Sequence, residues 1–353
     1  MTKTRVGEIV LTFEPLLLKT AHPFGISYGT SETSENVLVR MKYKDFEGLG
    51  EASPASYHNE TVPTVMAVLE RWQKSDIFGD DPFAIAEIAK RMDKSVAGNF
   101  SAKAAVEMAL YDLAGKIAGL PTYKMLGLAG LERPITDFTI GIDSLEMIEK
   151  KTYEAVEAGY KVLKVKQGTS YDKDIIRKVR SAAPLIPIRV DANGAWNPKQ
   201  AIEMSKWLAE QNVQFIEQPL PKNASVDDFR FVREHSPLPI YADESVSRSY
   251  DAARLAGAVD GIVVKLAKTG GLLEALKLIH TARAHSMQIM FGCMIECSIG
   301  ITAAAHLASL VDHLDLDGQL LLAEDPFDGC VYNNGYLDLP DRPGLGVIPR
   351  GKK

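Results

Sequence analysis

The sequence predicts an α/β protein in which a parallel barrel is joined to a smaller α+β unit, and three observations carry that prediction. The chain has 353 residues, roughly a hundred more than the ~250 typical of a bare α/β barrel. From Pro134 onward, eight short apolar runs alternate with helical stretches, the grammar of βα units. An open doubly wound sheet would usually carry a Gly-rich phosphate turn after its first strand, and no G-x-G-x-x-G occurs.

The first section reads as antiparallel strands followed by helices. Gly7 to Leu17 and Asn36 to Tyr43 are strand-like runs, and Asp45 to Gly50 supplies turn residues after them. Helical patterns follow at Val62 to Gln73, Pro82 to Asp93 and Ser101 to Ala118, the last stopped by Gly119 and Pro121. The barrel runs are Ile135 to Ile142, Val162 to Lys166, Ile186 to Ala192, Gln214 to Gln218, Ile240 to Asp243, Gly261 to Leu266, Gln288 to Gly292 and His313 to Asp317. Helical stretches such as Ser144 to Ala158, Pro198 to Gln211 and Gly271 to His285 lie between them. The tail has no clear helix and is expected to pack back on the first unit. The division is therefore 1–125, 126–320 and 321–353.

Composition narrows the class. With 46% hydrophobic and 24% charged residues the chain is neither disordered, collagenous nor a coiled coil. A net charge of −6 gives no general attraction for nucleic acid or an anionic membrane. Three cysteines, Cys293, Cys297 and Cys330, have no framework spacing and suit a reducing compartment. Arg5, Glu8 and Glu14 break the apolar runs of Met1 to Thr20, against a signal peptide or membrane span, so a cytoplasmic location is expected.

Strands inside a barrel should be continuously apolar, yet five successive runs carry charge at their C-terminal ends: Lys164 and Lys166, Asp191, Glu217, Asp243, and Lys265. They recur every 22 to 26 residues, one βα unit apart, so all face the end where barrel active sites lie. Three carboxylates around one point repel unless a cation neutralises them. With no histidine or thiol beside them, Asp191, Glu217 and Asp243 suit a hard ion, Mg²⁺ ahead of Mn²⁺. The histidines lack an H-E-x-x-H pattern, which disfavours zinc.

Alternation points Lys164 and Lys166 to the same side. Neighbouring ammonium groups and a metal are expected to lower a lysine pKa and make it a usable base. Lys265 lies four strands away, across the barrel. Bases on opposite sides of one substrate suit removal of a proton from one face of a carbon and its return on the other, as in racemisation or epimerisation. The substrate is expected to be a carboxylic acid with an α-proton, because a metal on its carboxylate can take up the charge of an enediolate.

The stretches Lys164-Val165-Lys166, Asp191-Ala192-Asn193, Ile216-Glu217-Gln218-Pro219, Asp243-Glu244-Ser245 and Val264-Lys265-Leu266-Ala267-Lys268-Thr269-Gly270-Gly271 together resemble the muconate-lactonizing subgroup of the enolase superfamily. The helix from Ala105 to Lys116 is also similar, with Glu107 and Asp112 most simply structural. The resemblance implies a modified TIM barrel, (β/α)₇β, with an α+β cap formed by both ends of the chain. It implies Mg²⁺ on Asp191, Glu217 and Asp243, with Lys166 and Lys265 as the acid/base pair. Lys164 would hold the substrate carboxylate and tune Lys166, and Lys268 would lie outside the mouth.

Asp315-Leu316-Asp317 ends the eighth run with two carboxylates on one side. Such a pair suits a substrate ammonium and is similar to the D-x-D of dipeptide epimerases, which makes a dipeptide the expected small-molecule partner. The same match places Thr139 and Cys293 in the site. Pro23-Phe24 is followed by no Lys or Arg before Arg40, whereas members acting on L-Ala-D/L-Glu carry an arginine in this mobile loop. Tyr28, Gly29 and their small neighbours suggest a hydrophobic side chain, while Glu32 leaves a cationic one open. The second loop, Ser53 to Asn59, is a further candidate contact. Other readings are an o-succinylbenzoate synthase, N-succinylamino acid racemase or cycloisomerase, and, from a different class, a barrel that binds peptides without chemistry. A homo-oligomer is expected.

Overall fold

The computed structural model describes residues 8–129 and 134–351. The chain begins with a three-stranded antiparallel sheet, β1 (Val10–Ile26), β2 (Gly29–Tyr43) and β3 (Phe46–Ala52), in that order. The strand expected over Gly7 to Leu17 is the first half of a longer β1, and Gly7 itself lies outside the described residues. The stretch after Pro23, expected as a loop, is instead the tip of the β1–β2 hairpin: Phe24, Gly25 and Ile26 pair with Ser31, Thr30 and Gly29 after a register shift. Asp45 to Gly50 is likewise not one long turn. The chain reverses at Lys44-Asp45 and returns as β3. Its glycines serve packing, since a Cβ on Gly48 would sit 2.0 Å from the Ala109 carbonyl oxygen and one on Gly50 1.9 Å from that of Ala105.

Those carbonyls belong to the third of the helices that follow, α1 (Val62–Gln73), α2 (Ile85–Ser95) and α3 (Phe100–Ala118), with α4 (Thr122–Met125) after them. Thr61 and Thr64 cap α1 reciprocally. Helix α2 starts three residues later than expected, the Asp81 carboxylate accepting the Phe83 N–H in a turn before it. Gly119, at φ 69°, ends α3 in a left-handed cap.

The barrel then runs β4 (Phe138–Ile140), α5 (Leu145–Glu157), β5 (Leu163–Lys166), α6 (Asp172–Ala182), β6 (Ile188–Asp191), α7 (Pro198–Glu210), β7 (Val213–Glu217) and α8 (Val226–His235). It continues β8 (Ile240–Ala242), α9 (Ser249–Leu255), β9 (Gly261–Val264), α10 (Leu266–Thr269), α11 (Leu272–Ala284), β10 (Gln288–Gly292), α12 (Ser298–Ala305) and β11 (His313–Asp315). These eight strands form one parallel sheet in sequence order, and a parallel bridge from Thr136 to Leu314 brings its two edges together. Asp243, Lys265 and Asp317 lie just past strand ends, where the backbone leaves the ladder. Among the described residues no helix is long and apolar enough to cross a membrane.

The tail returns to the first unit as expected. Leu322 bridges Thr20, and Gly344 bridges Pro121. Buried Asp112 of α3 joins three segments: it accepts the N–H of Leu49 (2.8 Å) and of Leu345 (2.8 Å) and pairs with Lys116 (2.7 Å). Asp112→Ala would strand two buried N–H groups, and urea denaturation is expected to show a stability loss of about 2–5 kcal/mol. A loss below about 1 kcal/mol would mean that water or a neighbour replaces the carboxylate.

Candidate active site

A cavity of about 510 Å³ lies between the C-terminal ends of the barrel strands and the hairpin of the antiparallel sheet. From the barrel, Thr139, Lys166, Lys265, Cys293, Asp315 and Asp317 line it, and from the hairpin Tyr28 and Gly29. These were all expected site residues. Asp191, Glu217 and Asp243 are buried outside the cavity lining, next to Lys166 and Lys265, with one carboxylate oxygen of each within 4.8 Å of the others.

The lysines approach this acid cluster from two sides. Lys166 Nζ donates to Asp191 Oδ2 at 2.6 Å, and Lys265 Nζ donates to Asp243 Oδ2 at 2.8 Å. Their strands are four apart in an eight-stranded ring, so the two side chains come from opposite walls. Lys164 is not in the cavity wall. It is 1% exposed and reaches Asp315 (2.7 Å), Glu217 (2.7 Å) and Asp191 (3.2 Å).

Lys268 lies outside the cavity lining too, but it is buried. The chain turns into α10 immediately after Lys265, which folds Lys268 back beneath the end of β8. There its buried ammonium meets the Asp243 carboxylate and donates to the carbonyls of Asp243 (2.6 Å) and Val263 (3.0 Å). Burial lowers the pKa of Lys268. Lys164 and Lys265 go the other way from Lys268. Burial opposes their charge, but Asp315, Glu217 and Asp191 around Lys164, and Asp243 beside Lys265, hold both well above the ordinary lysine value. A divalent cation on the same carboxylates would counter that pull.

The donor set fits such a cation. Neither oxygen of buried Glu217 accepts a hydrogen bond from the described residues; the Lys164 contact has ion-pair distance but not hydrogen-bond angles. Burial and the Asp191 charge push Glu217 well above the usual carboxylate range. An orphaned carboxylate between two others, with no nitrogen or sulfur ligand in the group, suits a hard oxygen-seeking ion.

At the far wall, Asp317 Oδ2 accepts the Thr139 N–H at 2.6 Å, and Asp315 Oδ1 lies 3.4 Å from the Thr139 hydroxyl. Burial and the charge of Asp315 push Asp317 up to about 7. Asp315 resists burial because Lys164 holds it below its ordinary value. Cys293 Sγ is 3.9 Å from Asp317 Oδ1.

Several hydrogen bonds fasten the roof to the barrel. The Ile142 N–H donates to the Gly25 carbonyl (2.9 Å), the Ser27 hydroxyl to the Asn193 carbonyl (3.1 Å), and Asn36 Nδ2 to the Ile295 carbonyl (3.0 Å). Tyr57, from the second loop, stacks on Tyr28 with ring centroids 4.8 Å apart and points its hydroxyl at Met294 Sδ, 3.3 Å away. Sequence reasoning did not single out Glu51. Its buried carboxylate accepts the Cys297 and Gly300 N–H groups (3.0 and 3.1 Å) and so fixes the loop after β10. A lone acid in a glycine-flanked strand carries no periodic signal.

Eight parallel strands bearing acids and lysines at one end, roofed by a sheet from the N-terminal section, define the enolase superfamily. Residues 10–127 match the mandelate racemase / muconate lactonizing enzyme N-terminal domain, and residues 147–353 the enolase C-terminal domain-like family. The chain belongs to this family. It is 42% identical over 343 residues to the L-Ala-D/L-Glu epimerase of Bacteroides thetaiotaomicron, covering 97% of this chain and 88% of that protein. A hydrophobic dipeptide epimerase from a Flavobacteria bacterium is 37% identical over 343 residues, 95% of this chain and 97% of the relative. Among solved structures, the dipeptide epimerase of Cytophaga hutchinsonii, complexed with Mg and D-Ala-L-Val, superposes with a TM-score of 0.92. The two are 33% identical, with 98% of this chain and 96% of that one covered.

Proposed function

We propose that the protein is a Mg²⁺-dependent dipeptide epimerase that inverts the α-carbon of the C-terminal residue by a two-lysine proton transfer through an enediolate. The observation that carries this reading is the placement of Lys166 and Lys265 on opposite walls with three carboxylates between them. One lysine takes the α-proton and the other returns one to the opposite face. Asp191, Glu217 and Asp243 would hold the metal, which would supply positive charge to the substrate carboxylate. Lys164, behind them, orients the carboxylates of Asp191, Glu217 and Asp315 and adds positive charge on the side where the substrate carboxylate binds. Residues 126–320 carry the chemistry, while 1–125 and 321–353 form the lid that selects the side chain.

Asp315 and Asp317 hold the free amino terminus. The double substitution Asp315→Asn with Asp317→Asn is expected to raise the dipeptide KM by roughly 10- to 100-fold, with little change for an N-acylated analogue. Equal losses on both substrates would turn the assignment toward an N-acylamino acid racemase.

For the C-terminal side chain we propose a hydrophobic group. Ile26, Tyr28, Tyr57 and Met294 line the cavity, and the cations lining it, among the described residues, are Lys166 and Lys265, which leaves no partner for a side-chain carboxylate. Glu32 is absent from the lining, between Ser31 and Thr33 that are in it, but Glu35 at the rim favours a second reading, a cationic side chain. α-Proton exchange in D₂O over a dipeptide panel tests the choice. The expected order is L-Ala-L-Leu and L-Ala-L-Tyr well above L-Ala-L-Lys and L-Ala-L-Glu, and a preference for L-Ala-L-Glu would overturn it.

A further inference from the structure

Beneath the cavity, outside its lining, a buried acid meets the back of Asp315. Asp137 precedes β4 and is 0% exposed. The barrel closes at this point: the Asp137 N–H donates to the Leu314 carbonyl at 3.1 Å, which sets its side chain beside that of Asp315. One carboxyl oxygen, Oδ2, accepts from Arg189 Nη1 at 2.9 Å. Arg189 is itself fixed by the Leu314 carbonyl (3.2 Å), His313 Nδ1 (3.1 Å) and Gln214 Oε1 (3.2 Å), so it cannot turn to serve the second oxygen.

That second oxygen, Oδ1, is buried, and no N–H or O–H donates to it. What Asp137 meets is the Asp315 carboxyl, at hydrogen-bond range. Two carboxylates in that contact repel, and the contact becomes attractive when one proton is shared between them. Each acid has a cation, Arg189 Nη1 at 2.9 Å from Asp137 and Lys164 Nζ at 2.7 Å from Asp315; burial beside the Asp315 charge outweighs Arg189 at Asp137, while Lys164 holds Asp315 below its ordinary value. The proton therefore belongs to Asp137.

We propose that Asp137 is a positioning residue for Asp315: a carboxylic acid kept protonated, anchored through Oδ2 by Arg189, that donates a hydrogen bond to Asp315 and fixes the orientation in which Asp315 receives a substrate ammonium. Lys164 from β5, Arg189 from β6 and Asp315 from β11 face it, and His313 of β11 contacts Arg189. Burial and the charge of Asp315 push Asp137 well above the usual carboxylate range against the pull of Arg189. The proposal rests on Asp315 as the ammonium holder in the function proposed above.

The test uses a neutral isostere. In Asp137→Asn the amide N–H₂ can donate to Asp315 while the amide oxygen accepts from Arg189, reproducing the protonated acid. The variant is expected to keep KM and kcat within about 3-fold of wild type, whereas Asp137→Ala raises KM roughly 10- to 100-fold with a much smaller change in kcat. Infrared difference spectra of wild type minus Asp137→Asn at neutral pH should contain the carbonyl stretch of one protonated carboxylic acid. Absence of that band, or an Asp137→Asn variant as impaired as Asp137→Ala, overturns the proposal. If Asp137→Ala does not fold, the asparagine variant and the infrared band decide. If the wild-type enzyme turns over no dipeptide, the function is wrong, while the band still reports whether Asp137 carries the proton.

Discussion

Lys265→Ala is expected to stop epimerisation while leaving α-proton exchange intact for one epimer. Lys166 and Lys265 stand on strands four apart in the ring and meet different carboxylates of the acid cluster. A substrate held between them presents its α-proton to one lysine in one epimer and to the other lysine in its mirror configuration. With Lys265 removed, Lys166 can still take a proton from its own side and return one there, but nothing delivers a proton to the opposite face. Inversion should fall by about 10²–10⁴, the usual contribution of a positioned general acid or base. In D₂O, NMR should show deuterium entering one epimer without inversion, and Lys166→Ala should show exchange of the other epimer. If both variants exchanged the same epimer, the lysines would not be working from opposite faces.

Glu217→Gln is expected to be nearly as damaging by a different route. Glu217 has two buried oxygens that accept no hydrogen bond from the described residues, its ion-pair partner being Lys164, and it sits between two other carboxylates. Replacing it removes one of three negative charges that would hold the cation, and an amide is a poorer ligand for a hard ion. Several kcal/mol of charge stabilisation would depend on that ion in the proposed reaction, so kcat/KM should fall by about 10²–10⁴. Calorimetric Mg²⁺ titration separates this from a loss through Lys164, which also reaches Glu217 at 2.7 Å. Weakened binding with partial recovery of activity at high Mg²⁺ is the expected result. Wild-type Mg²⁺ affinity combined with lost activity would move the role of Glu217 to Lys164, and exchange by the wild-type enzyme that survives a chelator would remove the metal from the reaction.

The barrel was legible because its strands are buried on both faces and so read as continuous apolar runs, broken only where charge faces the mouth. That is why Lys166, Asp191, Glu217, Asp243 and Lys265 could be placed together from spacing alone. The antiparallel sheet was harder. Gly48 and Gly50 look like turn formers, but they lie within a strand because helix residues 105 and 109 press against the strand's backbone. That close approach is a tertiary fact, invisible in a local window. The depth of a charged residue was equally hidden. Alternation puts Lys164 and Lys166 on one side but does not tell that one lines the cavity and the other is sealed behind it. For Lys268, the short helix after β9 decided its place, and four residues are too few to carry a periodic signal.

The bond from Asp112 to Leu345 spans 233 residues of chain. Synthesis proceeds from the N-terminus and domains generally fold as units in that order, yet the helix at the heart of the first unit receives one of its buried partners from a residue made after the whole barrel. Its sheet and helices can collapse early, but the unit is finished only after the whole barrel has emerged and the tail has been released to return. Such long-range closure is a slow kind of contact to form. The contacts that complete the first unit thus come from residues on the far side of the whole barrel in sequence.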